Sequence, residues 1–165
     1  MKKKRSFWDD VTVGYLASLR HGEEELGLII KGHLFIEFIM NQIIEFEFKI
    51  PKIFLNDNRT NSFLVKLNTL YSLGLLPKHI YQNITTVNKL RNQYAHNLKV
   101  DKNKLSFIYC LEGKEINRAD HFKKMKNPSR EYIKILCFGT LTELRNYYIK
   151  KYGELPNFSF DDYYE

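Results

Sequence analysis

Apolar residues recur at the spacing of an α-helix along most of this chain, and this pattern constrains the fold more than any other feature. From Glu23 to about Phe48 they occupy nearly every direction around a helix, which predicts a long helix buried at the centre of the molecule. A chain of 165 residues is long enough to bury about two-thirds of its unfolded surface. We therefore expect a single domain over residues 1–165 built around this helix.

A second helix is predicted shortly after the central one. Its apolar residues run from Phe63 to Tyr71 at positions i, i+1, i+4, i+7 and i+8. Either Thr60 or Asn61 is the expected N-cap, because both side chains accept hydrogen bonds from helical N–H groups. Gly74 is expected to end the helix.

Two more helices are marked by prolines. Pro77 suits the first turn of a helix that continues to about residue 96, and Asn127-Pro128 opens a last helix that stops near Gly153. A weaker helical pattern covers Trp8 to Arg20. Between these helices, residues 98–126 read as a short irregular or β-hairpin insertion, because Leu105–Tyr109 is β-like and a turn follows. The predicted fold is an all-α, up-down bundle of about five helices with this insertion.

The composition limits the expected metal or disulfide content, the cellular location and the charge of the partners. Cys110 and Cys137 belong to no Cys/His cluster, so neither a disulfide framework nor a metal site is expected. The basic run Lys2–Arg5 precedes no apolar stretch, and the apolar region Leu26–Phe48 is interrupted by charges, so we expect a cytoplasmic protein without a membrane span. A net charge of +7 with 15% aromatic residues favours an acidic partner, although basic clusters are equally compatible with ordinary solvated surface.

The chemistry of the chain is concentrated in Arg91, Asn92 and His96. An arginine binds a phosphate bidentately, an amide orients it, and a histidine transfers protons near neutral pH. These are the groups that metal-independent RNA cleavage requires, so no metal or cofactor is expected. On an ideal helix Asn92 and His96 are neighbours, whereas Arg91 and His96 point about 140° apart. Convergence therefore needs a bent arginine side chain, a distorted last turn, or a second copy of the helix.

Polar residues also interrupt the inner stripe of the central helix. His33 and Glu37 continue the line of Leu26, Ile30, Met40 and Ile44, just as Arg91 continues the apolar line before it. Because a buried unpaired charge is costly, Glu37 is the predicted partner of Arg91. The alternative reading makes Arg91 and Glu37 a structural ion pair and His96 a helix C-terminal cation. His33 and Tyr94 are either core residues or supporting residues of the cleft, with core packing favoured for both.

The sequence Arg91-Asn92-Gln93-Tyr94-Ala95-His96 resembles the Arg-Asn-x-x-x-His motif of the HEPN superfamily. The resemblance covers approximately residues 22–107, and three segments look like the mannitol operon repressor branch: Lys31–Glu37, Phe63–Leu75 and Asn88–His96. It implies a small all-helical domain that forms a homodimer, with both copies of the motif facing one basic cleft. In that cleft His96 acts as general acid or base, Arg91 stabilises the phosphate and Asn92 positions groups.

The resemblance implies three functions, and the residues leave all three open. The favoured one is a toxin or phage-defence endoribonuclease with RNA as substrate and an antitoxin or regulatory protein as further partner. The others are a non-catalytic transcriptional regulator and an RNA-binding domain that does not cleave. HEPN toxins paired with nucleotidyltransferase antitoxins often carry a tyrosine two residues after the motif histidine. Leu98 stands there, so control by modification of such a tyrosine is not expected.

Overall fold

The computed structural model describes residues 24–96, 107–111 and 113–153. This part of the chain is mostly helical with one small antiparallel hairpin, so the predicted all-α bundle with a hairpin insertion is confirmed. The elements are α1 (Glu25–Glu47), α2 (Pro51–Asn56), α3 (Phe63–Ser72), α4 (Lys78–His96), β1 (Ile108–Leu111), β2 (Lys114–Asn117), α5 (Ala119–Lys123) and α6 (Pro128–Tyr152). The predicted helix over Trp8–Arg20 lies outside the described residues.

Helix α1 is the central element, as its all-round apolar pattern predicted. It packs against α4 and α6 along its length and also contacts α2 and α3. Its fully buried apolar side chains are Leu28, Ile29, Ile36, Ile39, Met40, Ile43 and Ile44. The two outer residues of the predicted stripe, Leu26 and Ile30, are each 38% exposed, because the buried face is centred on Leu28, Ile29 and Ile36 instead.

The N-cap of helix α3 is Ser62, one residue after Asn61 and two after Thr60. The Ser62 side chain accepts a hydrogen bond from the Val65 N–H, so Ser62 is the N-cap. Thr60 was wrongly predicted for this role: its hydroxyl donates to the carbonyl of Phe54 and stabilises the preceding turn. Gly74 follows the end of the helix with φ +69°, a conformation that glycine adopts without steric cost.

Helices α4 and α6 agree with their predicted bounds. Pro77 precedes α4 and its carbonyl accepts the Tyr81 N–H, while Pro128 occupies the first turn of α6. Gly153 takes φ +79° directly after α6. The two helices therefore begin at their prolines, and α6 ends at Gly153. The C-terminal turn of α4 lies at one end of the bundle.

The hairpin is antiparallel, with Cys110 opposite Glu115 and Tyr109 opposite Ile116. Of the residues predicted to form it, Leu105, Ser106 and Glu112 lie outside the described residues. Strand β1 packs on α4 and α6, so the hairpin covers one flank of α4.

By length and composition alone, α1 is apolar enough to cross a membrane. It contains 23 residues, and its most apolar window has a mean hydropathy of 1.3, with 56% of that window buried inside the bundle. A mostly buried core helix passes the same test, so this is weak evidence. The cytoplasmic location remains a prediction.

Candidate functional site

The motif occupies the last turns of α4, which remains a regular α-helix from Lys78 to His96. A distorted last turn therefore does not bring Arg91 and His96 together. Arg91 and Asn92 are half-buried, whereas His96 is exposed at the end of the helix. The imidazole is thus open to an incoming ligand, and the other two side chains lie at the edge of the core.

The Arg91 side chain bends around the helix towards Asn92. Its Nη1 donates a hydrogen bond to Asn92 Oδ1 over 3.1 Å. Because Asn92 and His96 are neighbours one turn apart, this contact turns the guanidinium towards the His96 side of α4. Guanidinium has five N–H donors, so those not used by Asn92 suit a phosphate. The bent arginine is one of the three predicted routes to convergence.

His33 lies in the core beneath the motif. Its Nε2 donates to Oδ1 of Asn88 over 3.1 Å, and its ring stacks on Phe63 with ring centroids 3.8 Å apart. Burial lowers the pKa of His33, and the Arg91 charge acts in the same direction, while Asn88 and Glu37 oppose it. His33 is therefore a hydrogen-bonded core residue, as the core reading predicted, and it supports α4 from below.

The predicted ion pair between Arg91 and Glu37 is wrong. Glu37 Oε1 accepts a hydrogen bond from Lys66 Nζ over 2.8 Å. The Lys66 side chain is only 3% exposed and reaches Glu37 from α3, so it satisfies the carboxylate that the projection assigned to Arg91. Within the described residues Arg91 forms no ion pair, which leaves its charge available to an anionic ligand.

Glu25, in the first turn of α1, accepts hydrogen bonds that link α1 to the motif end of α4. The Tyr94 hydroxyl donates to Glu25 Oε2 over 3.1 Å, and the Ser129 hydroxyl of α6 donates to Oε1. Burial and the nearby carboxylate raise the pKa of Tyr94, so it stays a neutral donor. Tyr94 also packs against the core, so its predicted packing role is confirmed.

The contacts also fix the direction of the helices around the motif. Asn88 meets His33, and Tyr94 meets Glu25, so α1 and α4 run antiparallel and the motif lies beside the first turns of α1. Helix α3 starts at Phe63 beside His33. The exposed Leu26 and Ile30 are therefore at the level of the motif, on the part of α1 that precedes the contact with α3.

Three residues that support the site escaped the sequence interpretation: Asn88, Lys66 and Glu25. The first two carried a usable signal, because each is a polar residue at an inner position of an apolar helical stripe. Glu25 carried none, since an acidic residue in a first helical turn is ordinary. The candidate site thus has two layers, with Arg91, Asn92 and His96 outside and the polar core residues beneath.

Within the described ranges, no group of three or more His, Cys, Asp or Glu side chains is suited to a metal ion. Comparisons with protein-family models, with curated proteins and with solved structures found no match for this chain. A half-buried guanidinium, a side-chain amide and an exposed imidazole on one helix end are suited to phosphate binding and proton transfer.

Proposed function

We propose that this protein is a metal-independent endoribonuclease of the HEPN type, acting in a toxin-antitoxin or phage-defence setting. The observation that carries the proposal is the hydrogen bond from Arg91 to Asn92, which turns the guanidinium towards the side of α4 where His96 is exposed. Arginine and histidine then serve one phosphate, although they leave the helix in different directions.

The proposed reaction is attack by a ribose 2′-hydroxyl on the adjacent phosphate. A bond forms between the 2′-oxygen and phosphorus, and the bond between phosphorus and the 5′-oxygen breaks. One general base takes the 2′-hydroxyl proton and one general acid protonates the leaving 5′-oxygen, giving a 2′,3′-cyclic phosphate and a free 5′-hydroxyl. Arg91 stabilises the charge that develops on the phosphate, and His96 transfers protons.

A homodimer supplies a second histidine for this pair of proton transfers. Exposed apolar side chains support such a dimer: Leu26, Ile30 and Leu34 lie four residues apart on α1 and are 38%, 38% and 58% exposed. Leu26 and Ile30 flank the motif end of α4. Contact between two copies through this face would bring the two motifs into one cleft.

Cleavage of a mixed RNA pool in EDTA tests the proposal. We expect wild type to leave cyclic phosphate ends, and His96→Ala and Arg91→Ala to lose at least about 100-fold in rate. His121→Ala is the matched control, because His121 is an exposed histidine outside the motif, and it should cleave like wild type. Absence of cleavage with intact dimers would favour the regulator or the RNA-binding domain instead.

Mixing the two inactive variants tests whether the cleft is composite. If one active site takes His96 from one copy and Arg91 from the other, exchange of subunits between His96→Ala and Arg91→Ala dimers creates one intact site in each mixed dimer. Activity should then return on mixing. If each copy supplies both side chains to its own site, the mixture stays inactive.

A further inference from the structure

A groove runs along the flank of α4 that faces the hairpin and is distinct from the motif. Its volume is about 240 Å³, and it lies between the second and third turns of α4 and the outer side of β1 and β2. Its lining includes Gln82, Thr86 and Lys89 from α4 and Glu115 from β2. Pockets for drug-sized ligands typically measure about 300–1,000 Å³, so this groove suits a smaller group such as a single nucleobase.

Two opposite charges line the groove without satisfying each other. Lys89 and Glu115 are both exposed, and within the described part of the chain neither forms an ion pair. Glu115 lies on the groove side because it is opposite Cys110 in the hairpin, and the Cys110 thiol reaches Gln82 over 3.6 Å. A ligand that carries both an anion and N–H donors would satisfy both charges.

The groove leads towards the motif. Gln82, Thr86, Lys89, Gln93 and His96 follow one another at steps of three or four residues, so they form one line along α4. Seven residues separate Lys89 from His96, which is about 10 Å along a helix axis. Stacked nucleotides rise about 3.4 Å each, so roughly three nucleotides of a single strand bridge this distance.

The geometry points to a guanine-binding subsite in this groove, occupied by one base of a single-stranded RNA whose backbone continues past Lys89 to His96. Guanine presents two adjacent N–H donors, N1 and N2, on its Watson–Crick edge, and a carboxylate such as Glu115 accepts both. Adenine and cytosine present an amino group beside an acceptor nitrogen, which a carboxylate repels. Lys89 neutralises the phosphate attached to the bound base. The inference rests on the proposed function for the identity of the strand.

Hydrogen bonds anchor the β1 rim of the groove to α4. Asn83 donates to the Cys110 carbonyl and accepts the Cys110 N–H, each over 2.7 Å, so its amide pairs with the outer edge of β1. Burial raises the pKa of the Cys110 thiol, which makes it a packing group of the rim rather than a nucleophile. These bonds hold β1, the strand that pairs with Glu115, against α4.

Binding of mononucleotides to the full-length protein tests the subsite without any cleavage step. We expect GMP to bind at least tenfold more tightly than AMP or CMP, as measured by equilibrium dialysis. Glu115→Gln should weaken GMP binding at least tenfold, because an amide cannot accept two N–H groups, and Lys89→Ala should weaken all nucleotides alike. Glu45→Gln and Lys52→Ala are the matched controls, because both side chains are exposed on helices away from the groove.

The result that overturns the subsite is equal binding of GMP and AMP, or GMP binding that Glu115→Gln leaves unchanged. This outcome is separable from failure of the proposed function. Guanine-selective binding without RNA cleavage keeps the subsite and removes the nuclease, whereas cleavage without guanine selectivity removes only the subsite.

Discussion

Nε2 of His33 donates to Oδ1 of Asn88 over 3.1 Å, and this bond joins α1 to α4 three residues before Arg91. The imidazole must remain neutral to fit its place, because it is 8% exposed and Phe63 stacks on one face. Protonation would place a cation in this buried position, a desolvation cost that the Asn88 hydrogen bond and the Glu37 carboxylate only partly offset. The support beneath the motif therefore depends on pH.

The first prediction concerns acid stability. Burial holds the folded pKa of His33 below its ordinary value of 6.5, so the unfolded chain binds this proton more readily. The free energy of unfolding should therefore fall as the pH drops below 6.5 and level off below the folded pKa. Urea unfolding above and below that pH measures the effect. His33→Gln should reduce the dependence, whereas the exposed His121→Ala should keep it; an unchanged dependence in His33→Gln would contradict the assignment.

Removing either charge of the Lys66–Glu37 ion pair should destabilise the protein, but we expect the loss of Glu37 to cost more stability than the loss of Lys66. Glu37→Gln removes the opposite charge from the Lys66 ammonium, whose side chain is only 3% exposed. This should lower the free energy of unfolding by about 3 kcal/mol. Lys66→Met keeps the apolar stem and leaves a carboxylate with 27% exposure, so its cost should be smaller. Urea unfolding compares the two. Glu131→Gln is the control, since its pair with Lys134 on α6 is an i,i+3 surface pair worth no more than about 0.5 kcal/mol.

Helical periodicity was enough to predict the long elements but not the short ones. Helix α1 and helix α4 were recognisable because apolar positions repeat over 23 and 19 residues. Helices α2 and α5 have only 6 and 5 residues, too few for a repeat to show. The N-cap of α3 was misplaced because Thr60, Asn61 and Ser62 are all good caps, and only tertiary contacts select among them.

The side-chain contacts around the candidate site could not be predicted from the sequence. Helical projection places Arg91 and Glu37 on the inner stripes of their helices. It does not show how one helix is rotated against another, so the two charges were paired although their side chains do not meet. The true partner of Glu37 comes from α3, and Lys66 was overlooked because it lies among apolar neighbours. Likewise, the bend of Arg91 towards Asn92 depends on side-chain torsions, which spacing along a helix does not determine.

Asn83 is predicted to hold the hairpin against α4. Asn83→Ala removes two hydrogen bonds to the Cys110 backbone and leaves buried polar groups unsatisfied, at a cost of about 1–3 kcal/mol. Hydrogen exchange of the Cys110 amide should accelerate along with the loss of stability. Asn68→Ala removes only an exposed bond from the Tyr81 hydroxyl and should cost under about 1 kcal/mol. Equal costs for the two variants would show that the hairpin is held in another way.

Tyr94 should control the order of the motif itself. Tyr94→Phe keeps the ring in the core but removes its bond to Glu25, which ties α4 to α1 two residues before His96, at a cost of about 1 kcal/mol. Because the last turn of a helix frays first, amide exchange should accelerate at residues 92–96 and remain unchanged at the start of α4.

Tyr81→Phe is the matched control for this change, since it removes a hydroxyl bond to Asn68 near the opposite end of the same helix. It should leave the exchange of residues 92–96 at the wild-type rate. If Tyr94→Phe likewise leaves those rates unchanged, the bond to Glu25 does not order the motif. The packing of the Tyr94 ring is then sufficient to hold His96 in place.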